Sequence, residues 1–288
     1  MTGIETHRSM VKAWECDSFG HFTVAYYFDR FADASATLME TLAAERGLRA
    51  VASWIPTEYH ARFVSELRGG EVLHVESGVI AAEADWLRVG HRLMNSATGK
   101  VCTTVEEHLQ AKPGVAPLGD GERRRLAEPA IDWEESKNDP GFADGARDGL
   151  IPTGRDRVKP AEVDESGELA LPNYVHRSSV GCIQLLTAMG LPPEHLRSHH
   201  RGFSTFEIKL RLEPPGPKPG HALHLESGLM HLGSSSVRMV HRLHDSRSGR
   251  RVATLRQSGV HFDLEARRST PIPEELRAKA AGLVLRTA

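Results

Sequence analysis

Cysteine is scarce in this 288-residue chain: Cys16, Cys102 and Cys182 are the whole supply, and none lies close to another. That spacing excludes a disulfide framework and a local cysteine zinc motif, and it fits a reducing, cytoplasmic setting. Long apolar runs are missing too. None approaches the roughly 18 residues a membrane span needs, and the opening MTGIETHRSM lacks the apolar stretch of a secretory signal, so no membrane partner is expected. Nor is there an excess of one charge. With 36 Lys+Arg against 38 Asp+Glu the formal net charge is -2, and no global basic field exists to hold a nucleic acid. Only eight of those basic side chains are lysine, so arginine, the better fork for phosphate or carboxylate, dominates.

What is present is an ordinary folding composition, 40% hydrophobic and 26% charged, in a chain longer than most single domains. The two halves repeat each other. RSMVKAWECDSFGHFTVAYYFDR (8–30) aligns with RDRVKPAEVDESGELALPNYVHR (155–177), sharing Arg8/Arg155, Lys12/Lys159, Glu15/Glu162, Asp17/Asp164, Gly20/Gly167, Tyr27/Tyr174 and Arg30/Arg177. HVESGVI (74–80) aligns with HLESGLM (224–230), GHRLMNSATGK (90–100) with VHRLHDSRSGR (240–250), and more weakly 116–127 with 270–280. Collinear blocks at nearly constant offset are the mark of a duplication.

Each half reads as a strand, a glycine loop, a long helix, several strands and a terminal helix. Phe28, Phe31, Leu38 and Leu42 recur at helical spacing and predict a helix over about 25–46, stopped by Gly47; Val175, Ser178, Leu185 and Met189 predict its counterpart, stopped by Gly190. Segments 58–67, 72–81, 86–94 and 101–110 read as strands, with SATGK and DSRSGR as hairpin turns. The fold class is α+β, one long helix and one antiparallel sheet per repeat. The boundaries expected are 1–127 for the first repeat, 128–152 for an aperiodic linker rich in Asp, Gly and Glu, and 153–288 for the second repeat.

The run Asp17-Ser-Phe-Gly20-His21-Phe-Thr23-Val24-Ala-Tyr-Tyr27 resembles the hotdog-fold thioesterases of the 4-hydroxybenzoyl-CoA thioesterase type. Asp17, Gly20, His21, Val24 and Tyr27 match that motif, and Thr23 replaces its usual Asn. With the repeat, the resemblance implies a double hotdog, two units packed as an intramolecular pseudo-dimer, that hydrolyses an acyl-CoA or acyl carrier protein thioester without metal or cofactor. It leaves open whether such chains associate into a homo-oligomer. The second copy keeps Asp164, Gly167 and Tyr174 but has Glu168 for His and Ala170 for the Asn, and is expected to be degenerate.

Thioester hydrolysis needs a carboxylate to attack or to activate water, and donors for the developing oxyanion. Asp17 supplies the first, helix N-terminal amides the second, and Gly20 lets the backbone approach the substrate. His21 can bond the thioester oxygen or orient Asp17. Gly20, Thr23 and Tyr27 are expected to line the substrate, with Thr23 also reading as a helix cap and Tyr27 as a packing ring. Asp17 as a simple turn cap competes with the catalytic reading. Asp164 with Glu168 reads as a solvated turn, His74/His224 and His91/His241 as duplicated strand pattern, and His199, His200 and Arg201 as a loop able to meet a phosphate. Trp14, Tyr26, Trp54 and Trp86 are candidates for an aromatic wall against a flat or quaternary ammonium acyl group. A hydratase/dehydratase pairing Asp with His, and a non-catalytic acyl-thioester binder, are the competing functions.

Overall fold

The computed structural model describes residues 3–48, 53–127, 130–134, 141–145 and 148–286. The chain divides into two compact units, Met1–Lys137 and Asn138–Ala288, so the division falls inside the segment expected as a linker, part of which lies outside the described residues.

In the first unit β1 (Ile4–Met10) is followed by a 3-10 turn (Ala13–Glu15), α1 (Val24–Arg46), β2 (Trp54–Phe63), β3 (Val72–Ala82), β4 (Trp86–Asn95), β5 (Val101–Ala111) and α2 (Asp120–Leu126). The strands form an antiparallel sheet in the order β1-β3-β4-β5-β2. Phe28, Phe31, Leu38 and Leu42, picked out by their spacing, are buried on α1, and α1 packs against β1 and β3. The second strand starts earlier than expected, at Trp54, and ends at Phe63. Beyond it the chain leaves the sheet, and Leu67 instead accepts the amide of Phe22 at 2.7 Å.

The second unit repeats the plan: β6 (Ile151–Arg157), a 3-10 turn (Pro160–Glu162), α3 (Leu171–Met189), α4 (Pro193–Ser198), β7 (Arg201–Leu212), β8 (Ala222–Leu232), β9 (Ser236–Asp245), β10 (Arg251–Asp263), the short β11 (Arg268–Ser269) and α5 (Glu274–Ala280). Its sheet runs β6-β8-β9-β10-β7, with β11 beside β10. Even the tails correspond. After α2, Ala130 bridges Val79 in parallel, and after α5, Val284 bridges Leu229 in the same way. Trp133 then lies over Gly90 and donates to Glu106 at 2.8 Å, so this part of the expected linker packs onto the first sheet. Phe142 and Asp144 do the same in the second unit, against Arg211 at 4.5 Å from the ring centroid and 2.5 Å from the carboxylate.

Two features of the repeat have structural causes that periodicity does not show. Glu15 and Arg30 form a buried ion pair at 2.6 Å, with the other Glu15 oxygen accepting the Lys12 amide at 2.9 Å; Glu162 meets the corresponding Arg177 and Lys159 amide at 3.1 and 2.8 Å, both through Oε2. Each pair ties the 3-10 turn to the long helix. The recurring histidines belong to polar chains that cross the sheets. Thr6 meets Ser77 at 2.6 Å, Ser77 meets His91 Nδ1 at 2.7 Å, His91 Nε2 meets Glu107 at 3.3 Å, and Tyr59 donates to Glu107 at 2.7 Å, one residue from each of the five strands. In the second unit Thr153, Ser227 and His241 repeat the 2.6 and 2.7 Å contacts, while Gln257 takes the place of Glu107 and donates to Thr205 at 2.7 Å. Burial pushes the His241 pKa down to about 4, with the Gln257 side chain opposing. His74 and His224 each meet a turn serine, Ser96 at 2.8 Å and Ser246 at 3.1 Å.

Candidate active site

The loop between the 3-10 turn and α1 carries the motif. Gly20 has φ +77, a left-handed conformation that glycine adopts without strain, and Gly167 has the same φ +77 in the second copy. The reversal lets the amide of Asp17 reach the carbonyl of His21 (2.8 Å) and the amide of Gly20 reach that of Asp17 (3.0 Å). Asp17 Oδ1 accepts the amides of Phe19 at 2.8 Å and His21 at 3.0 Å, the pattern of a turn-capping aspartate. Its Oδ2 lies 3.9 Å from His21 Nδ1, on a side chain 42% exposed. One oxygen is therefore fixed and the other presented. Capping and chemistry are compatible here, since the cap holds the carboxylate in one orientation.

His21 is held from its other side. Arg68 Nη2 lies 3.1 Å from His21 Nε2, and Glu66 lies 3.4 Å from the same nitrogen. Arginine can only donate, so in the neutral ring Nε2 accepts from Arg68 and the proton sits on Nδ1, facing Asp17. When the ring is protonated, Glu66 takes the Nε2 hydrogen. Arg68 and Glu66 carry no local motif. The sequence clue to them is their replacement by Lys218 and Gly216 in the copy that has lost the histidine.

The remaining expected contacts separate. Thr23 stands at the N-cap of α1, but its side chain makes no cap hydrogen bond, correcting the expectation of a hydroxyl cap; its own amide donates to Glu15 O at 2.9 Å. Tyr27 turns inward. Its ring sits 4.5 Å from Phe22 and 5.3 Å from Phe63, its hydroxyl bonds the Leu67 backbone, and burial pushes its pKa up. Val24 and Ala25 open α1, where first-turn amides have no carbonyl within the helix to bond and the helix dipole favours negative charge. Of the candidates for an aromatic wall, Trp54 is buried, Tyr26 and Trp86 are half-buried, and Trp14 is 74% exposed.

In the second copy Asp164 Oδ1 accepts Ser166 N at 2.8 Å and Ser166 Oγ at 2.6 Å, while Glu168 is bound to the Gly216 amide at 2.7 Å. A side chain at 216 would place its Cβ 2.7 Å from the Glu168 carboxylate. Asp164 is thus capped on one oxygen, as Asp17 is, and Glu168 is bound to backbone 48 residues away.

Residues 11–111 and 158–280 each match the thioesterase-like superfamily. The chain belongs to that family. Structures similar to this chain include one named as an oleoyl thioesterase from Lactobacillus plantarum (TM-score 0.66, 12% identity, 94% of this chain and 97% of that one) and the 12:0-ACP thioesterase of Umbellularia californica (0.59, 12%, 88% and 92%). They show the fold, a double hotdog. L-carnitine dehydrogenase/betainyl-CoA thioesterase of Rhizobium meliloti (strain 1021) is 27% identical over 124 residues, 43% of this chain and about a quarter (24%) of its own length. No helix among the described residues is long and apolar enough to cross a membrane.

Proposed function

We propose that the protein hydrolyses an acyl-CoA thioester at the first unit's loop. Asp17 Oδ2 takes a proton from water as the water oxygen attacks the thioester carbonyl carbon, the amides opening α1 stabilise the oxyanion, and its collapse breaks the C–S bond while the proton on Asp17 passes to the departing sulfur, releasing the thiol and regenerating the carboxylate. His21, oriented by Arg68, directs its Nδ1 hydrogen at this carboxylate and is a positioning residue. The carrying observation is the Asp17 carboxylate, one oxygen fixed by two amides and the other presented at the head of a long helix, in a chain of a thioesterase family. A supporting one is that in the second copy Glu168, which stands where the first has His21, is tied to the Gly216 amide. An acyl carrier protein thioester is the close variant of the substrate. The name of the bacterial relative puts a betaine-like acyl group first among those to test.

The experiment is a panel of acyl-CoA esters with a thiol reagent, on wild type and two variants shown folded by matched thermal melts. Asp17→Asn is expected to lower turnover by about 100-fold or more, the low end for a lost general base, and Asp164→Asn to leave it within about threefold. Losses in the opposite order overturn the assignment, and a hydrated acyl-CoA with no free thiol overturns hydrolysis.

A further inference from the structure

Trp14 is the most exposed of the large apolar side chains described, at 74%, and it sits on the 3-10 turn three residues before Asp17. The turn itself does not need it. In the second unit the same turn forms with Ala161 at this position, closed by the same bonds: Glu162 N to Lys159 O at 3.0 Å and Lys159 N to the Glu162 carboxylate at 2.8 Å, against 3.0 and 2.9 Å for Glu15 and Lys12. An indole left in water on a rigid turn is a contact surface for something flat. A cation lies beside it: the Lys12 ammonium is 5.5 Å from the ring centroid. A flat aromatic surface with an ammonium at its side suits a nucleobase that carries phosphates.

We infer that Trp14, with Lys12, binds the adenosine 3′,5′-bisphosphate end of coenzyme A, the adenine stacking on the indole and a phosphate meeting the ammonium. The inference rests on the acyl-CoA reading and deepens it, since it favours coenzyme A over a carrier protein. The backbone from Trp14 to Asp17 spans at most about 10 Å, shorter than an extended pantetheine arm, so one coenzyme A can reach from the indole to the carboxylate.

The probe is adenosine 3′,5′-bisphosphate, which lacks both pantetheine and thioester and so binds without turnover. It is expected to quench tryptophan emission saturably in wild type, not in Trp14→Phe, and more weakly in Lys12→Ala at low salt, a difference that added salt removes. With acyl-CoA, Trp14→Ala should raise KM roughly 10-fold with kcat within about twofold, the pattern of lost uniform binding. Quenching that persists in Trp14→Phe, no quenching at millimolar probe, or a kcat loss at unchanged KM overturns the site. So does quenching by an acyl carrier protein alone. If no thioester is hydrolysed while the bisphosphate still quenches Trp14, the nucleotide site stands and the hydrolase reading falls.

Discussion

Replacing Glu15 by Ala tests whether the ion pair behind the site loop is a fixture of the fold. Glu15 and Arg30 are 4% and 6% exposed at the side chain, and the carboxylate accepts both the guanidinium and the Lys12 amide. Removing it leaves a buried guanidinium and an amide without their acceptor. Such breakage costs about 3–5 kcal/mol, and the Asp29 carboxylate still on Arg30 brings the expectation to about 3 kcal/mol. The second copy supplies the control. Glu162 is 22% exposed, and Arg177 keeps Asp156 at 3.0 Å, so Glu162→Ala is expected to cost about 1 kcal/mol. All four tryptophans, at 14, 54, 86 and 133, lie in the first unit, so urea unfolding followed by tryptophan emission reports on that unit. With a slope of about 2 kcal/mol per molar, Glu15→Ala should lower the midpoint by about 1.5 M. Because tryptophan reads the first unit, Glu162→Ala should lower the same midpoint by at most about a third as much. A larger loss in Glu162→Ala, or a Glu15→Ala shift below about 0.3 M, refutes the reasoning.

Three further outcomes are expected. Gly90→Val, which copies Val240 of the second unit, would put its Cβ 2.6 Å from the Trp133 ring; it should lift that ring from the sheet, shift emission to the red and cost about 1–3 kcal/mol in the same urea assay. His241 is held neutral to about pH 4 against an ordinary 6.5, so between those values the unfolded chain binds a proton the folded one refuses; stability present above 6.5 falls as pH drops toward 4, by about 3 kcal/mol at most. Gln257→Glu, which sets a carboxylate beside His241, should shrink that acid loss, read as circular-dichroism urea midpoints at pH 7 and 4.5. Arg68→Ala should lower turnover by about 10-fold in wild type and have little further effect in a His21→Ala background, because both changes remove one interaction; additive losses would show that Arg68 acts elsewhere.

Much of this architecture is written in the sequence because duplication prints each structural requirement twice. The spacing of Phe28, Phe31, Leu38 and Leu42 locates α1 to within a residue of its start at Val24, since a helix on a sheet must bury one stripe. The strand after it is harder. Pro56 and Thr57 obscure the start at Trp54, where pairing to β5 outweighs local preference. The shared Glu15/Glu162 and Arg30/Arg177 are visible in the alignment, but identity alone does not say that they touch, because a 3-10 turn and a helix face bring them together over fifteen residues. The same limit hides Arg68 and Glu66. Their meeting with His21 depends on an isolated bridge between His21 and Arg68 across 47 residues, which no local pattern encodes.

Among the many differences between the copies, three sets bear on the site: those in the loop, on the surface beside it and in the polar chain across the sheet. His21, Arg68 and Glu66 become Glu168, Lys218 and Gly216; Trp14 becomes Ala161; Glu107 becomes Gln257. The first set exchanges an imidazole held between an arginine and a carboxylate for a carboxylate bonded to a backbone amide. The last exchanges an ionisable link for a neutral amide in a buried chain that otherwise repeats its distances to a tenth of an ångström. A buried carboxylate is costlier to keep than an amide of the same shape, so the second unit is the simpler solution to the same packing problem. The Glu15 turn, the left-handed glycine and the sheet order stay the same, because without them the helix has no fixed entry onto the sheet.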